Sequence, residues 1–368
     1  MIKFGHLADA HLKFSTWSSW PQVNSDADFA LEKFTEHMSR CGVDYLIASG
    51  DVLDRRLLSS YELYLLQKIV SRFRVLFVQG THDTAKPPIL STLTDTHHLT
   101  DTPLIFDDVM VLGIDYQPRR EMFIQRVEDV CDTIETSDRP VILVTHNAYR
   151  HLLRFESAWK AEILDIPVNQ NHPVMVLAGD IHKRHVYRSP IGAPGSLTVV
   201  SSGALYPQDW EQTLHRNMCD VVTVDASATT PFSIESFDLA VREYKEITPV
   251  DAEDLRSKLA DISSSVPSGI QLPTAVRILS TGDNELNISP EDVPENLVVT
   301  TMLVGGSSSA DTTVSPVDQA ADLVSMEDLI QSSLSEDCAA LLLELIRADR
   351  PGVAATQKLI ENKVLIQK

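Results

Sequence analysis

The 368 residues suffice for two domains and an appendage. With 43% hydrophobic and 23% charged residues, the composition excludes collagen-like, wholly disordered and disulfide-scaffold chains. A formal charge of −21, densest in the last third, repels phosphate backbones, so a nucleic-acid role needs cations or a partner.

No run approaches the roughly 18 apolar residues of a membrane span, and the first residues lack a signal-type apolar core. Cys41, Cys131, Cys219 and Cys338 form no C-x-x-C pair. A reducing, cytoplasmic setting without membrane contact is therefore expected.

Short apolar runs, each closed by a polar turn, predict buried strands at Ile2 to Leu7, Tyr45 to Ser49, Val75 to Gln79, Val141 to Thr145 and Val174 to Ala178. Helical periodicity over Asp28 to Cys41 and Ser59 to Phe73 separates the first three, an alternation that predicts a sheet with helices packed on it. Leu197 to Ser202, Val221 to Val224 and Phe232 to Phe237 read as the second half of that sheet. A smaller β/α module follows, with a helix over Ala252 to Ile262 and strands at Ala275 to Leu279 and Leu297 to Leu303. Residues 305–317 have linker composition, and leucine-rich helices are expected over 318–368.

Ligands of such folds collect outside the carboxyl ends of the strands. The five early strands end in Asp9-Ala10-His11, Gly50-Asp51-Val52-Leu53-Asp54, Gly80-Thr81-His82-Asp83, His146-Asn147 and Gly179-Asp180-Ile181-His182. Carboxylates suit hard divalent cations and imidazoles suit borderline ones, so these ends together supply what a two-metal hydrolase needs. Singly, each motif has a structural reading: Asp51 as a helix cap, His82 and Asp83 as a surface turn, His146 as a buried structural histidine.

The ordered set D-x-H, G-D-x-x-D, G-x-H-D, H and G-x-x-H resembles the calcineurin-like metallophosphoesterase family over roughly residues 1–190. Within it, Asp51 to Asp54 followed by a Ser59-Ser60 helix start, and Asp180 to Arg184 as the last motif, look most like SbcD-type nucleases. The resemblance implies an α/β fold with a four-layered α/β/β/α sandwich, a small capping domain and a helical tail. The expected bounds are 1–240 for the nuclease domain, 241–304 for a DNA-facing cap entered through Val241 to Tyr244, 305–317 for the linker and 318–368 for the tail.

By position it implies Asp9, His11, Asp51 and His182 around one ion, and Asp51, Thr81, His146 and Asp180 around a second. His82 would be the catalytic histidine with Asp83 orienting it. Two Mn²⁺ ions per chain are expected, with Mg²⁺ as substitute. The implied partners are DNA, an SbcC-type SMC-like ATPase bound by the tail helices, and a second copy of the chain.

Thr81 stands where the family has Asn and Asp180 where His is usual, and both departures fall on the second ion. Lys183, Arg184, His185 and Arg188 either meet phosphates at the mouth of the site or form a solvated strand edge; Arg119, Arg120, Arg150 and Arg154 divide the same way. Trp17 and Trp20 either stack on a base or pack on their own domain. A stand-alone phosphodiesterase or phosphatase, and a scaffold with a degenerate metal site, are the competing functions.

Overall fold

The computed structural model describes residues 1–303 apart from 18–19, 56–57, 101, 150–164, 170, 190–195, 268–269 and 281–292. Arg150, Arg154, Cys338, the linker and the tail helices lie outside the described residues. The chain divides into two units, Met1–Gly306 and Ser307–Lys368, and the following concerns the first.

In chain order the elements are β1 (Ile2–Leu7), β2 (Ser15–Trp17), β3 (Trp20–Asn24), α1 (Asp26–Arg40), β4 (Tyr45–Ser49), α2 (Ser60–Val70), β5 (Arg74–Val78), β6 (Thr96–His98), β7 (Leu104–Ile105), β8 (Met110–Ile114) and α3 (Arg120–Glu135). They continue with β9 (Val141–Thr145), β10 (Val174–Ala178), β11 (His185–Arg188), β12 (Leu197–Ser201), β13 (Met218–Val224), β14 (Phe232–Asp238), β15 (Tyr244–Ile247), α4 (Ala252–Ser264), β16 (Thr274–Ser280) and β17 (Leu297–Leu303).

The early strands form two sheets, as the four-layered sandwich requires, and not the single sheet that their alternation suggested. The first runs β14-β13-β1-β4-β5-β6, with β1, β4, β5 and β6 parallel. The second runs β11-β12-β10-β9-β8-β7, with β12, β10, β9 and β8 parallel. The segments expected to complete a single sheet are split accordingly: β12 extends the second, while β13 and β14 extend the first.

Parity along each strand builds the layers. Leu46, Ala48, Val75 and Phe77 face α1 and α2, whereas Ile47, Leu76 and Val78 face the other sheet. In β9 and β10, Ile142, Val144, Met175 and Leu177 meet them from across, and Leu143 and Val176 turn outward to the α3 side. Strands covered on both faces read as continuous apolar runs, which is why these were visible. The result is an α/β/β/α sandwich. Ser59 caps α2 in a reciprocal pair with Glu62, as its Ser-x-x-Glu pattern dictates.

The small β/α module is a three-stranded parallel sheet, β15-β16-β17, with Leu255 and Leu259 of α4 packed on Val276, Ile278 and Leu297. Its entry is pinned by a buried node. Asp26 at the start of α1 accepts from Arg242 Nη2 (3.0 Å), Tyr244 Oη (2.7 Å) and Thr16 Oγ1 (2.7 Å). Arg242 also donates to the carbonyls of Asn24 (2.8 Å) and Pro273 (2.5 Å).

Candidate metal centre

The site forms where parallel strands end. Past β1, the backbone continues alongside the turn after β4: Asp9 N donates to Gly50 O (3.2 Å), His11 N to Asp51 O (2.9 Å) and Leu12 N to Val52 O (3.0 Å). Tyr206 Oη donates to His11 O (2.6 Å), locking that turn from a third loop. Asp9, His11, Asp51 and Asp180 all have positive φ, at 48°, 39°, 49° and 70°. Asp and His tolerate the left-handed region better than most residues, but it still costs energy, and such strain gathers where the surroundings hold side chains in place for a task.

Among the described residues, three sets of side chains bring ligand atoms within 4.8 Å of one another: Asp9, His11 and His182; Asp9, Asp51 and His146; and His11, Asp54 and His82. Asp51 Oδ2 lies 3.2 Å from His146 Nε2 and 3.8 Å from His11 Nε2. Asp9 Oδ1 lies 3.8 Å from His182 Nε2 and 4.0 Å from His146 Nε2. Both carboxylates therefore stand between histidines contributed by different loops.

Burial makes this arrangement costly without a cation. Asp9, His11, Asp51 and His146 are almost wholly inaccessible, yet Asp9 Oδ2, His11 Nε2 and His146 Nε2 make no hydrogen bond. His146 Nδ1 donates to Ser49 O (2.6 Å), which leaves Nε2 as the bare nitrogen facing the carboxylates. A ring anchored through one nitrogen and presenting the other is the normal arrangement of a metal-ligating histidine. The fit to divalent cations is good in donor type, in orientation and in unsatisfied valence.

The protonation equilibria report the same deficit of positive charge. Burial opposes a proton on His146, but contact with Asp51 and the charge of Asp9 outweigh it and raise the imidazole to about 10. Burial pushes the Asp9 carboxyl up to about 6. Burial acts on Asp51 in the same direction, yet His146 and the His82 backbone N–H (2.7 Å to Oδ1) hold it well below the usual carboxylate range.

The packing around His146 demands glycine. A Cβ on Gly50, whose φ is 85°, would come within 2.4 Å of His146 Nδ1; one on Gly179 would come within 2.4 Å of the same atom and 2.2 Å of Ser49 O.

Thr81 and Asp180 are near this cage but engaged differently from the expected ligand set. Thr81 Oγ1 donates to Asp51 Oδ2 (2.8 Å), and Asp180 Oδ2 accepts from Ala148 N (3.1 Å) while its own N–H donates to Asp9 Oδ1 (3.0 Å). Asp180 belongs to none of the three clusters.

His82 lies exposed at the rim, its Nδ1 donating to the Asp54 carbonyl (2.9 Å). Asp83, expected to orient it, does not. That carboxylate is buried beneath the turn and accepts from Gly80 N (2.6 Å), Val52 N (3.1 Å) and Asp51 N (3.3 Å), while the His82 ring stays at the surface. Asp54 takes the orienting role that sequence reasoning missed: its Oδ1 lies 3.3 Å from His11 Nδ1 and 3.0 Å from Lys13 Nζ, and its carbonyl holds His82. Its place in the G-D-x-x-D spacing was the available signal. Gln212, whose Nε2 is 2.9 Å from His182 Nδ1, carried none.

Among the cationic candidates, Arg184 turns to buried Asp220 (3.0 Å) and Arg120 pairs with Asp165 (2.6 Å). Lys183 and His185 are half-buried after the last motif. Trp17 and Trp20 are 8% and 5% exposed and pack with Trp210 and Tyr244, favouring the packing alternative.

The calcineurin-like phosphoesterase pattern matches residues 2–184. The chain is 20% identical over 317 residues to the DNA double-strand break repair protein Mre11 of Sulfurisphaera tokodaii, covering 80% of this chain and 75% of that one. Among solved structures, a dimetal phosphatase from Danio rerio overlaps 65% of this chain and 96% of its own at 10% identity, with a TM-score of 0.47. An archaeal phosphodiesterase overlaps 64% and 100%, at 10% identity and a TM-score of 0.34. By the sequence match, and by the carboxylates and imidazoles caged at its strand ends, the chain carries a domain of the calcineurin-like phosphoesterase family.

Proposed function

We propose that the chain is a two-metal DNA nuclease subunit that hydrolyses phosphodiesters at DNA ends in the cytoplasm. It works as a homodimer with an SbcC-type SMC-like ATPase, bound through residues 318–368, in recombination and repair. The observation that carries this reading is the buried convergence of Asp9, Asp51, His11, His146 and His182, with ligand atoms left unpartnered. The likeness to a protein named for double-strand break repair supports DNA over other phosphate esters. Leu63 and Tyr64 of α2, each about half exposed, offer the homodimer an apolar face.

When bound, divalent cations supply Lewis-acid charge for the phosphodiester and lower the pKa of a water. Mn²⁺ suits this mixture of carboxylate and imidazole, with Mg²⁺ as substitute. Asp9 and Asp51 would hold the cations through their carboxylates, and His11, His146 and His182 through their imidazoles. Thr81 fixes the Asp51 carboxylate in orientation. With Nδ1 committed to the Asp54 carbonyl, Nε2 of the exposed His82 ring is left to act on the phosphodiester, giving a proton to the leaving oxygen from the protonated ring or stabilising charge on the phosphate.

The test is hydrolysis of linear DNA with Mn²⁺ and the partner ATPase. His82→Ala should lower it by about 10²- to 10⁴-fold, the usual scale for a general acid, with metal content and fold retained. A folded parent chain that hydrolyses no DNA under any divalent cation, with the ATPase present, would overturn the reading.

A further inference from the structure

A groove of about 850 Å³ leaves the metal centre at Asp54 and Lys13, follows the β2–β3 hairpin and ends against Thr300 to Met302 of β17. Its volume lies within the ~300–1,000 Å³ of small-ligand sites. The aromatic cluster forms its floor: Trp17 and Trp20 line it, and Trp210 carries the Arg277 guanidinium 4.0 Å from its ring centroid.

Two apolar side chains remain open on its walls, Phe14 at 53% exposure and Met302 at 49%. Phe14 is three residues past His11 and is braced edge-on by Tyr61, with ring centroids 5.3 Å apart. Trp20 keeps a buried Nε1 without an acceptor, whereas Trp17 Nε1 donates to Pro207 O (3.2 Å).

The charges along the groove decide what kind of ligand it takes. Each lining cation already has a carboxylate partner: Lys13 with Asp54 (3.0 Å), Arg55 with Glu62 (3.0 Å) and Arg277 with Glu246. A surface that tracks a duplex backbone needs cations available to phosphates. Here the cations are paired, Asp209 adds a further negative charge, and among the mixed polar and apolar lining the exposed Phe14 and Met302 offer apolar surface that suits the flat face of a base. Stacking on an aromatic ring accepts any base and needs it unpaired.

We propose that this groove receives the base of an unpaired nucleotide next to the scissile phosphodiester, with Phe14 as the stacking face and Met302 covering the opposite side. The assignment rests on the nuclease reading above and adds to it the state of the strand, unpaired near the metals.

The experiment uses the full His82→Ala chain with Mn²⁺, so that the cations are held while cleavage is suppressed, with labelled oligo-dT and an abasic oligonucleotide of equal length as anisotropy probes. Oligo-dT should bind roughly tenfold more tightly than the abasic strand, the scale of one aromatic platform. Phe14→Ala and Met302→Asp, each added to His82→Ala, should remove most of that difference, in samples that unfold at the temperature of the His82→Ala chain. Equal binding of the two strands by the His82→Ala chain, or retention of the full difference by both folded variants, overturns the subsite. Hydrolysis of bis(p-nitrophenyl) phosphate by the unsubstituted chain with Mn²⁺ separates the two levels. Turnover with failed binding sinks the subsite alone, and absence of turnover sinks the nuclease reading and the subsite with it.

Discussion

His146 stands between two carboxylates with one nitrogen committed to a carbonyl and the other bare. In metal-free protein the bare nitrogen holds a proton at neutral pH, since the imidazole is raised to about 10. That proton stabilises the fold fully below the ordinary value of 6.5, and the contribution is lost as pH rises through about 10. A divalent cation needs the same lone pair, so binding must displace the proton and strengthen as pH rises from 6 to 8. Calorimetry of Mn²⁺ binding at pH 7 in buffers of different ionisation enthalpy should show release of about one proton per chain; binding without proton release would contradict this geometry.

The candidate metal-binding residues were visible as carboxylates and imidazoles closing successive strands, but spacing alone did not sort them: Asp9 and His11 share a cluster, whereas Asp180, equally two residues before His182, does not. Asp83 was misread because a neighbour in sequence is seldom a neighbour in direction: its carboxylate caps backbone N–H groups under the turn while His82 stays at the rim. Contacts such as Gln212 to His182 span 30 residues and leave no local pattern.

At the level of elements, the glycines after β4 and β10 matter as much as the ligands. Gly179→Ala would drive a methyl group into Ser49 O and His146 Nδ1, displacing the ring from its anchor. Loss of such a supporting contact typically lowers metal affinity by about 10- to 100-fold. Metal titration of a folded Gly179→Ala variant should show that loss, and parental affinity would mean that the Ser49 anchor is dispensable.

Strands buried on both faces announced themselves as apolar runs, and β1, β4, β9 and β10 begin and end where periodicity placed them. Periodicity could not divide them between two sheets, because each face of each strand is equally apolar; the division came from the family resemblance and its four-layered sandwich. β8 was overlooked because Gly113 interrupts its short apolar run. α3 was overlooked because only Phe123, Val127 and Ile134 are buried along it, a stripe too thin to stand out.

Across the whole molecule, the small β/α module owes its place to a buried ion pair. Arg242 and Asp26 have side chains 2% and 1% exposed, and removing one partner strands the other charge away from water. Arg242→Met should therefore cost about 3–5 kcal/mol in chemical denaturation, and the double change with Asp26→Asn should cost less than the sum of the single changes. Additive losses would show that the two residues act independently. The pair was invisible in sequence because 216 residues separate its members.

The acidity of the chain follows the same logic of compensation. At −21, the chain as a whole repels phosphate, so the chemistry proposed for it needs the cations that its strand ends could hold. Anomalous diffraction from Mn²⁺-soaked crystals tests that claim most directly. Two peaks are predicted, one against Asp9, His11 and His182 and one against Asp9, Asp51 and His146; a cage that stays empty at saturating Mn²⁺, or ions bound elsewhere, would contradict it.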